Sequence, residues 1–421
     1  MGNSFLRVRG FSDFSPDKSS RLDFFLTKAR DILSCWGYGE LMLPALEEEG
    51  LFKRGLGEST DIIERQIFKI EGKDIALRPE GTAQVVRYFV QNKIYSQSKH
   101  SKFFYRGPMF RGERPQKGRL RQFHHIGAEV IGSYSCYTDA EIILAAIALV
   151  EAFSVKDFKL KINTLGCGHD KQKLSERISV SLKNSLGFLC DDCKRRLSLN
   201  PLRVLDCKKD SCKKLIASLE IGRSHLCKDC LEHFEGVLSL LSDSGVTYEY
   251  DQSLVRGLDY YTNTVFELTS SSLGSQDAIG AGGRYNNLIK SLGGPDIGAV
   301  GFALGLERIM IVLGDTEKGL SLSVMVITTN DGLKRSGFKI MQELRRQGVS
   351  SDMDFDGKSV KSQLRYAQKI GAKYSVILGE DEFKEDSVVL RNMEESTQDK
   401  VSIKNLVSIL KKSLYDAQVI P

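Results

Sequence analysis

Polar and apolar residues alternate along residues 121–131, and this pattern predicts a strand with one buried face. The preceding run, residues 101–110, is rich in aromatic residues and predicts a partner strand. Residues 111–120 between them contain Pro and Gly and predict a loop. The second face of the returning strand mixes charged, imidazole and aromatic groups: Arg121, Phe123, His125, Gly127 and Glu129. We therefore predict a hairpin with one apolar face and one face whose charged, imidazole and aromatic groups are suited to binding a ligand.

Helical and strand patterns precede this hairpin. Apolar residues recur at helical spacing across residues 18–36, which predicts a helix. The leucines around Pro44 predict a strand at a sheet edge or an interface, because proline cannot donate a hydrogen bond to a neighbouring strand. A further short strand is predicted to end at Arg78, with a helix beginning near Gly81.

The chain changes character after Gly314. Apolar runs of strand length then alternate with stretches of helical spacing. The predicted strands are residues 322–328, 373–378 and 388–392, and the predicted helices are residues 332–347, 359–370 and 403–415. This order predicts a small parallel or mixed α/β domain.

The composition is that of an ordinary globular protein. At 421 residues, with 41% hydrophobic and 27% charged residues, the chain is long for one domain. No apolar run reaches membrane-spanning length and the N-terminus lacks a signal pattern, so we expect a cytoplasmic protein with no membrane partner. The net charge of +6 is compatible with a polyanionic partner, although such a surplus most often only solvates the surface.

The cysteines are unevenly distributed. Six of the nine lie in one polar segment: Cys190, Cys193, Cys207, Cys212, Cys227 and Cys230. In a reducing compartment this clustering indicates free thiols or a metal and not disulfides. The two C-x-x-C pairs have zinc-ligand spacing, which makes Cys190, Cys193, Cys227 and Cys230 the candidate zinc ligands. The alternative is that these cysteines pack as small buried hydrophobes, and the sequence leaves both interpretations open.

The hairpin loop and the junction after Arg78 carry the candidate chemistry. The loop is strongly basic, with Arg111, Arg114, Lys117 and Arg119. Arginine forks suit phosphate oxygens, and an aromatic ring with an arginine can sandwich a base, so a nucleoside triphosphate is the predicted ligand. Glu80 and Thr82 would offer oxygens to a ligand ammonium. The alternatives are a solvated basic hairpin and a Glu80 that only stabilises a helix N-terminus.

Several motifs together resemble those of class II aminoacyl-tRNA synthetases, and more narrowly of the histidyl-tRNA synthetase family. They cover nearly the whole chain in the order of the family: LRPEGT at 77–82, GPMFR at 107–111, RPQKGR at 114–119, LVRGLDYYT at 254–262, GAGGRY at 280–285 and GFALGLER at 301–308. One such motif alone is a weak signal, but the ordered set is highly specific.

The resemblance implies an α+β fold, with an antiparallel sheet core, a helical insertion and a C-terminal α/β anticodon-binding domain. The implied domains are residues 1–161 and 242–319 for the catalytic core, 162–241 for the insertion and 320–421 for the anticodon-binding domain. The stretch around Pro44 is similar to the motif that builds the dimer interface in this class, so a homodimer is implied.

The resemblance also implies an activity. Members join L-histidine to ATP as histidyl-adenylate with release of pyrophosphate, and then transfer histidine to the 3′ end of tRNA(His). Mg²⁺ is expected on the phosphates, held largely by the nucleotide. No DNA partner is implied.

Roles carry over by motif. Arg111 and Arg256 are implied as catalytic, Arg256 at a place that a metal ion fills in other class II enzymes. The implied histidine-binding residues are Glu80, Gly81, Thr82, Arg111, His125, Glu129, Arg256, Tyr260, Tyr261 and Tyr285. The implied ATP-binding residues are Arg111, Glu113, Arg121, Phe123 and Arg308, and the implied tRNA-binding residues are Arg114, Gln116 and Lys117.

Two positions leave alternatives open. Position 125 is His where the family usually has Gln, and a histidine can replace that amide only as one tautomer or as the cation. Arg256 could instead be a surface arginine paired with Asp259. Rival functions are a non-catalytic synthetase-like subunit of a histidine-biosynthesis enzyme, a tRNA-sensing module, and a synthetase of another specificity. The first is disfavoured because the chain keeps a C-terminal domain and the histidine-site residues, and the second because it keeps Arg111, Arg256 and Arg308. Residues 256–262 disfavour the third.

Overall fold

The chain folds into two units, Met1–Thr316 and Glu317–Pro421, and each is described by itself. The structure is a computed structural model that describes residues 5–58, 60–207, 209–219, 221–274, 277–314 and 322–415. Within this part of the chain no helix is both long and apolar enough to cross a bilayer.

The first unit is built on one large sheet. Its strands, together with a separate two-stranded ribbon of β2 and β3, are β1 Gly39–Glu40, β2 Leu46–Glu48, β3 Ile75–Leu77, β4 Ser101–Phe110, β5 Gln122–Ile131, β6 Lys159–Thr164, β7 Glu249–Tyr250, β8 Thr262–Thr269, β9 Ala278–Arg284 and β10 Ala299–Gly305. The sheet order is β1-β4-β5-β10-β9-β8-β6-β7. Only the edge pairs β1–β4 and β6–β7 are parallel. The predicted antiparallel core is therefore confirmed.

Helices cover this sheet. They are α1 Pro16–Cys35, α2 Glu49–Leu56, α3 Thr82–Gln91, α4 Cys136–Ala152, α5 Gly168–Leu182, α6 Asp191–Leu199, α7 Asp210–Ala217, α8 Lys228–Asp243, α9 Leu288–Ser291 and α10 Leu306–Leu313. The first begins where the Ser15 hydroxyl accepts from the Lys18 N–H, with Pro16 as the first helical residue. Apolar side chains of α1, α4 and α8 pack against one face of the sheet. The polar side chains with candidate functional roles therefore lie on the opposite face.

The predicted hairpin is confirmed. Strands β4 and β5 pair along their full length, from Ser101 opposite Ile131 to Phe110 opposite Gln122. The alternation of β5 places Ile126 and Ala128 in the core with the helices on one side. Burying this face fixes the register, because a shift of one residue would bring polar groups into the core.

The predicted strand around Pro44 is wrong. Residues 41–45 form no strand, and they connect the two short strands β1 and β2 instead. Leu46 begins β2, and the Leu41 N–H still donates to the Phe104 carbonyl of β4 at 2.8 Å. The residues next to Pro44 belong to neither strand, because proline lacks the N–H that a ladder needs. The leucines still pack: Leu41 and Leu43 lie against the core cluster that contains α3.

The expected insertion boundaries cut through two elements of the core. The boundary between residues 161 and 162 falls inside β6, and the one after residue 241 falls inside α8. Phe234 and Leu241 of α8 are buried with α1 and α4 in the main core, and the polar outer face of α8 conceals this in the sequence. We therefore use the term insertion for residues 165–227, between β6 and α8.

The second unit is the expected mixed α/β domain. Its elements are β11 Val324–Thr328, α11 Lys334–Arg346, β12 Ser351–Met353, α12 Val360–Lys369, β13 Tyr374–Leu378, α13 Glu380–Lys384, β14 Ser387–Asn392, β15 Gln398–Ser402 and α14 Ile403–Tyr415. The sheet order is β12-β11-β13-β14-β15, parallel on one side of β13 and antiparallel on the other. The predicted strands and helices are present, whereas β12, β15 and α13 were missed because they are short or lack an apolar run.

Candidate active site

A cavity of about 610 Å³ lies against the first unit's sheet. The hairpin, β8, β9, β10, the start of α3 and the insertion all contribute to its wall. Most of the predicted site residues line it, and these are Glu80, Thr82, Arg111, Glu113, Phe123, His125, Glu129, Arg256, Tyr260, Tyr261, Tyr285 and Arg308. Residues that are far apart in the sequence therefore meet at one place.

Glu129 is a buried carboxylate in the wall of the cavity. Its carboxylate is fully buried and accepts hydrogen bonds from the Thr82 hydroxyl at 2.7 Å and the Tyr285 hydroxyl at 2.6 Å. Burial raises the pKa of Glu129 to about 8, although both hydroxyls oppose the shift and the charge of Glu80 adds to it. The ionised form of such a buried carboxylate is stabilised most when a cationic ligand binds beside it.

Glu80 serves the helix and lines the cavity at the same time. One carboxylate oxygen accepts from the Thr82 N–H at 2.6 Å and the other from the Ala83 N–H at 2.9 Å, which caps the start of α3. Burial raises the pKa of Glu80, and these N–H groups oppose the shift. The simpler explanation of Glu80 as a helix cap is therefore correct, and its position in the cavity wall leaves the ligand role open.

Tyr105 is a cavity residue that the sequence did not reveal. The ring is buried and lies between Gly81 and Gly127, where a Cβ on either glycine would come within 2.3 Å of the ring. This close approach explains why position 81 is a glycine, and the predicted contact of Gly81 with histidine stays a prediction. Tyr105 was overlooked because aromatic residues are common in strands, although its pairing with Gly127 across the hairpin was a usable signal.

Three tyrosines form an aromatic wall beside Glu129. The rings of Tyr260 and Tyr261 lie 4.6 Å apart, and those of Tyr260 and Tyr285 pack edge to face at 5.6 Å. All three are buried and line the cavity, so they are not simply exposed strand aromatics. Rings with hydroxyl groups can enclose a small planar ligand and still pair its polar atoms.

Three arginines bring positive charge to the wall of the cavity. Arg111 donates from Nε to the Pro79 carbonyl at 2.9 Å, and its guanidinium lies 5.3 Å from the centre of the Phe123 ring. Arg308 donates from Nε to the Gly118 carbonyl at 3.1 Å, which joins α10 to the hairpin loop. Arg256 enters from the segment before β8. Three cations on one cavity wall suit a polyanion.

Arg256 is held by Glu267 of β8. The two side chains form an ion pair and a hydrogen bond, and Glu267 also lines the cavity. Asp259, the alternative partner, accepts from the Asn200 amide at 2.9 Å through one of its oxygens. Glu267 was missed because nothing in its local sequence separates it from an ordinary polar strand residue.

His125 is buried among cations. Burial lowers the pKa of His125 well below its ordinary value, and the charges of Arg111 and Arg308 add to the effect. Both effects favour the neutral imidazole over the cation. Within the described residues, the His125 Nδ1 atom is buried without a hydrogen-bond partner, so it is available to a polar atom of a ligand or to water.

Arg121 lies outside the cavity wall. It donates from Nη1 to the Arg9 carbonyl at 3.2 Å, and its side chain packs against Gly10. The contact of Arg121 with ATP stays a prediction, and in this structure its guanidinium bonds the carbonyl oxygens of Arg9 and Glu113. Glu113 does line the cavity, where its carboxylate pairs with Arg119 at 3.1 Å.

The residues expected to touch tRNA lie at the tip of the hairpin loop. Arg114, Gln116 and Lys117 are exposed and outside the cavity wall. The backbones of Gln116 and Arg119 bond each other across a tight turn, in which Gly118 has a φ of +75°. The turn therefore projects these side chains away from the cavity.

The insertion cysteines form two groups that differ from the predicted pairing. Cys190 and Cys193 meet Cys207 and Cys212, whereas Cys227 and Cys230 meet Cys167 and Asp170. The four candidate zinc ligands Cys190, Cys193, Cys227 and Cys230 thus belong to two different places. Chain spacing identified each local pair but not its partner, which depends on how the helices pack.

Comparison with known proteins identifies the family. The family model described as Histidyl-tRNA synthetase matches residues 10–169 and 199–309, and that described as Anticodon binding domain matches residues 323–413. The chain is 41% identical over 414 residues to the histidine–tRNA ligase of Desulforamulus reducens, covering 96% of this chain and 98% of that protein.

The chain belongs to the histidyl-tRNA synthetase family. A second relative, the histidine–tRNA ligase of Halothermothrix orenii, is 40% identical over 413 residues and matches 96% of this chain and 98% of its own length. The solved structure of the apo histidyl-tRNA synthetase of S. aureus superposes with a TM-score of 0.80 at 29% identity, covering 97% of this chain and 100% of that one. The predicted family, fold class and enzyme class are confirmed.

The family model leaves residues 170–198 unmatched, and this stretch contains Cys190 and Cys193. The alignments to the two relatives nevertheless cover 96% of this chain. The cavity is built almost entirely from residues that the family model matches.

Proposed function

We propose that this enzyme activates L-histidine with ATP and transfers it to tRNA(His). The observation that carries the proposal is that one cavity is lined by the buried carboxylate of Glu129 and by the guanidinium groups of Arg111, Arg256 and Arg308. An amino acid has an ammonium group that can bind the Glu129 carboxylate. Its own carboxylate must meet a phosphate, and the arginines can bind that phosphate.

The histidine ammonium is proposed to lie against Glu129, with the imidazole among Tyr260, Tyr261 and Tyr285. Ionised Glu129 would exchange a costly buried charge for a charge-assisted hydrogen bond. The tyrosine hydroxyls would pair the two imidazole nitrogens, so that an amino acid lacking them leaves buried polar groups unpaired. Nδ1 of His125 is available to a further polar atom of the substrate.

The activation of histidine by ATP needs no nucleophile from the protein. A histidine carboxylate oxygen would attack the α-phosphorus of ATP, the bond to the bridging oxygen would break, and pyrophosphate would leave with its electron pair. Arg111 and Arg256 would hold the α-phosphate from two sides and neutralise the charge that builds on it. Phe123 and Arg308 would stack on the adenine, and Glu113 would accept from its amino group.

ATP use includes Mg²⁺, which binds phosphate oxygens and reluctantly gives up its waters. The cavity fits a magnesium nucleotide, because carboxylates of Glu113, Glu267 and Asp277 line it beside the arginines. The cation would neutralise phosphate charge. The chain's own part is to orient the nucleotide and to exclude water from the reacting atoms.

Amino-acid-dependent exchange of pyrophosphate into ATP tests the function directly. We expect exchange with L-histidine and none above background with the other amino acids, and charging of tRNA(His) but not of other tRNAs. A non-catalytic regulatory or sensing protein would show no exchange with any amino acid. Exchange with a different amino acid would mean another specificity.

The exposed loop tip predicts a division of labour between the two steps. Gln116→Ala should slow transfer to tRNA(His) by about an order of magnitude while leaving adenylate formation unchanged, because the side chain lies outside the cavity and one lost hydrogen bond is worth about 0.5–1.5 kcal/mol. Single-turnover assays separate the two steps. Gln97→Ala, at another exposed glutamine, is the control, and an equal loss in both steps would remove the loop tip from the tRNA interface.

We also propose that the enzyme is a cytoplasmic homodimer. In support, the stretch around Pro44 presents apolar side chains to the surface of this single chain, with Met42 89% exposed and Leu46 44% exposed. A second copy would cover them. Light scattering of the full chain should give twice the mass of one chain, and a monomer at micromolar concentration would contradict the proposal.

A further inference from the structure

Four cysteine sulfurs of the insertion converge on one point. The Sγ atoms of Cys190, Cys193, Cys207 and Cys212 all lie within 4.8 Å of one another, and those of Cys190 and Cys207 are 3.8 Å apart. Three of the four residues are buried and none forms a disulfide. Simple hydrophobic packing would not require sulfurs from three separate segments to face one another.

The spacing is that of a tetrahedral metal site. Zinc binds thiolates at about 2.3 Å, and the edge of such a tetrahedron is about 3.8 Å. A disulfide would bring two sulfurs to about 2.05 Å and exclude the other two. We propose that Cys190, Cys193, Cys207 and Cys212 bind one zinc ion.

The backbone around the sulfurs is arranged to stabilise negative charge. Cys190 and Cys193 lie at the N-terminal end of α6, and Cys212 lies in the first turn of α7. The N–H of Cys190 points at the Sγ of Cys212, at 3.4 Å. N–H groups and helix N-termini favour thiolates and provide the second layer of contacts that metal sites need.

The zinc would have a structural role. Four protein sulfurs complete its coordination and leave no open position for water or substrate. The ion would close the segment 190–212, in which Arg196 and Arg203 bind the Asp61 carboxylate of the core at 3.2 and 3.0 Å. Cys190 and Cys207 themselves line the cavity. The zinc ion would thus hold one wall of the active site in place without taking part in the reaction.

The other sulfur group has an explanation that needs no metal. The Asp170 carboxylate accepts from the Cys227 N–H at 3.0 Å and from the Cys167 N–H at 3.4 Å, which ties together the starts of α5 and α8. The Cys230 sulfur receives the Cys167 N–H at 3.2 Å. These contacts satisfy the group, so the proposal is confined to the four-cysteine cluster.

Metal analysis of the full chain, purified under reducing conditions, tests the proposal. We expect at least one tightly bound zinc per chain, and X-ray absorption with a sulfur shell at about 2.3 Å. Replacement by cobalt(II) should produce thiolate-to-cobalt charge-transfer absorption. Folded wild-type enzyme that holds no zinc and takes up no cobalt would overturn the proposal.

Two variants locate the site. Cys207→Ser and Cys212→Ser should each lower the zinc content by one equivalent per chain relative to the wild type, and should lower the thermal midpoint. Cys35→Ser, at an exposed cysteine far from both groups in sequence, should change neither quantity. Unchanged zinc content in both cluster variants would overturn the assignment. If a variant does not fold, the sulfur shell and cobalt spectrum of the wild type still decide, and none of these readouts depends on the proposed activity.

Discussion

Arg256→His should slow adenylate formation by about two to three orders of magnitude, since losing one transition-state donor costs about 2.7–4 kcal/mol. Arg256 lies in the wall of the cavity and is oriented by Glu267, so it can neutralise charge on the α-phosphate as the reaction proceeds. Binding of histidine and ATP should change much less, because the contact strengthens mainly in the transition state. Single-turnover kinetics with saturating substrates measures the chemical step by itself.

The Arg256 result needs a control that removes an arginine without touching the site. Arg345→His serves, because Arg345 is likewise paired with a carboxylate, that of Asp352, but belongs to the second unit. Its adenylate formation should equal that of the wild type. A near-normal single-turnover rate in Arg256→His would show that the α-phosphate is stabilised by other groups.

Glu129→Gln should weaken histidine binding by about ten- to a hundredfold, with little change in the affinity for ATP. The carboxylate is buried and bonded by Thr82 and Tyr285, so the amide keeps the shape but loses a charge-assisted hydrogen bond worth about 1.5–3 kcal/mol. Equilibrium binding of each substrate is the measurement. Glu151→Gln, at an exposed position of α4, is the matched control. Unchanged histidine affinity would place the ammonium elsewhere.

The raised pKa of Glu129, about 8, adds a pH test of the same residue. A carboxyl with a raised pKa is mostly protonated below that value, and only its ionised form attracts an ammonium. Histidine affinity should therefore rise about fivefold between pH 7 and pH 8, following the ionised fraction of a group with that pKa. The Glu129→Gln variant should lack this rise. A parallel pH profile in both proteins would assign the titration to another group.

The hairpin could be predicted from the sequence because its two faces differ in chemistry at every second residue. Side chains that follow this period, such as Phe123, His125 and Glu129, all reach the cavity. Arg121 has the same period but lies at the end of the strand, where the N-terminal segment competes for it. Periodicity therefore gives the face of a residue and not its hydrogen-bond partner.

What the sequence did not reveal depends on contacts between distant segments. Glu267 acquires its role only because Arg256 comes to lie beside it, and Tyr105 only because two glycines leave room for its ring. The cysteine pairs show the same limit, since C-x-x-C spacing is local while the partner sulfurs are chosen by helix packing. The motifs identified the family and most of the cavity wall. They carried no information on the residues that hold the catalytic ones in place.

The fit of Tyr105 between Gly81 and Gly127 limits how this pocket can evolve. A methyl group on either glycine would collide with the ring, so neither position can change unless position 105 changes as well. Tyr105 in turn lines the cavity together with Thr82 and Glu129. A lineage that places a larger residue at position 81 or 127 must therefore also change position 105, and positions 81, 105 and 127 should covary across lineages.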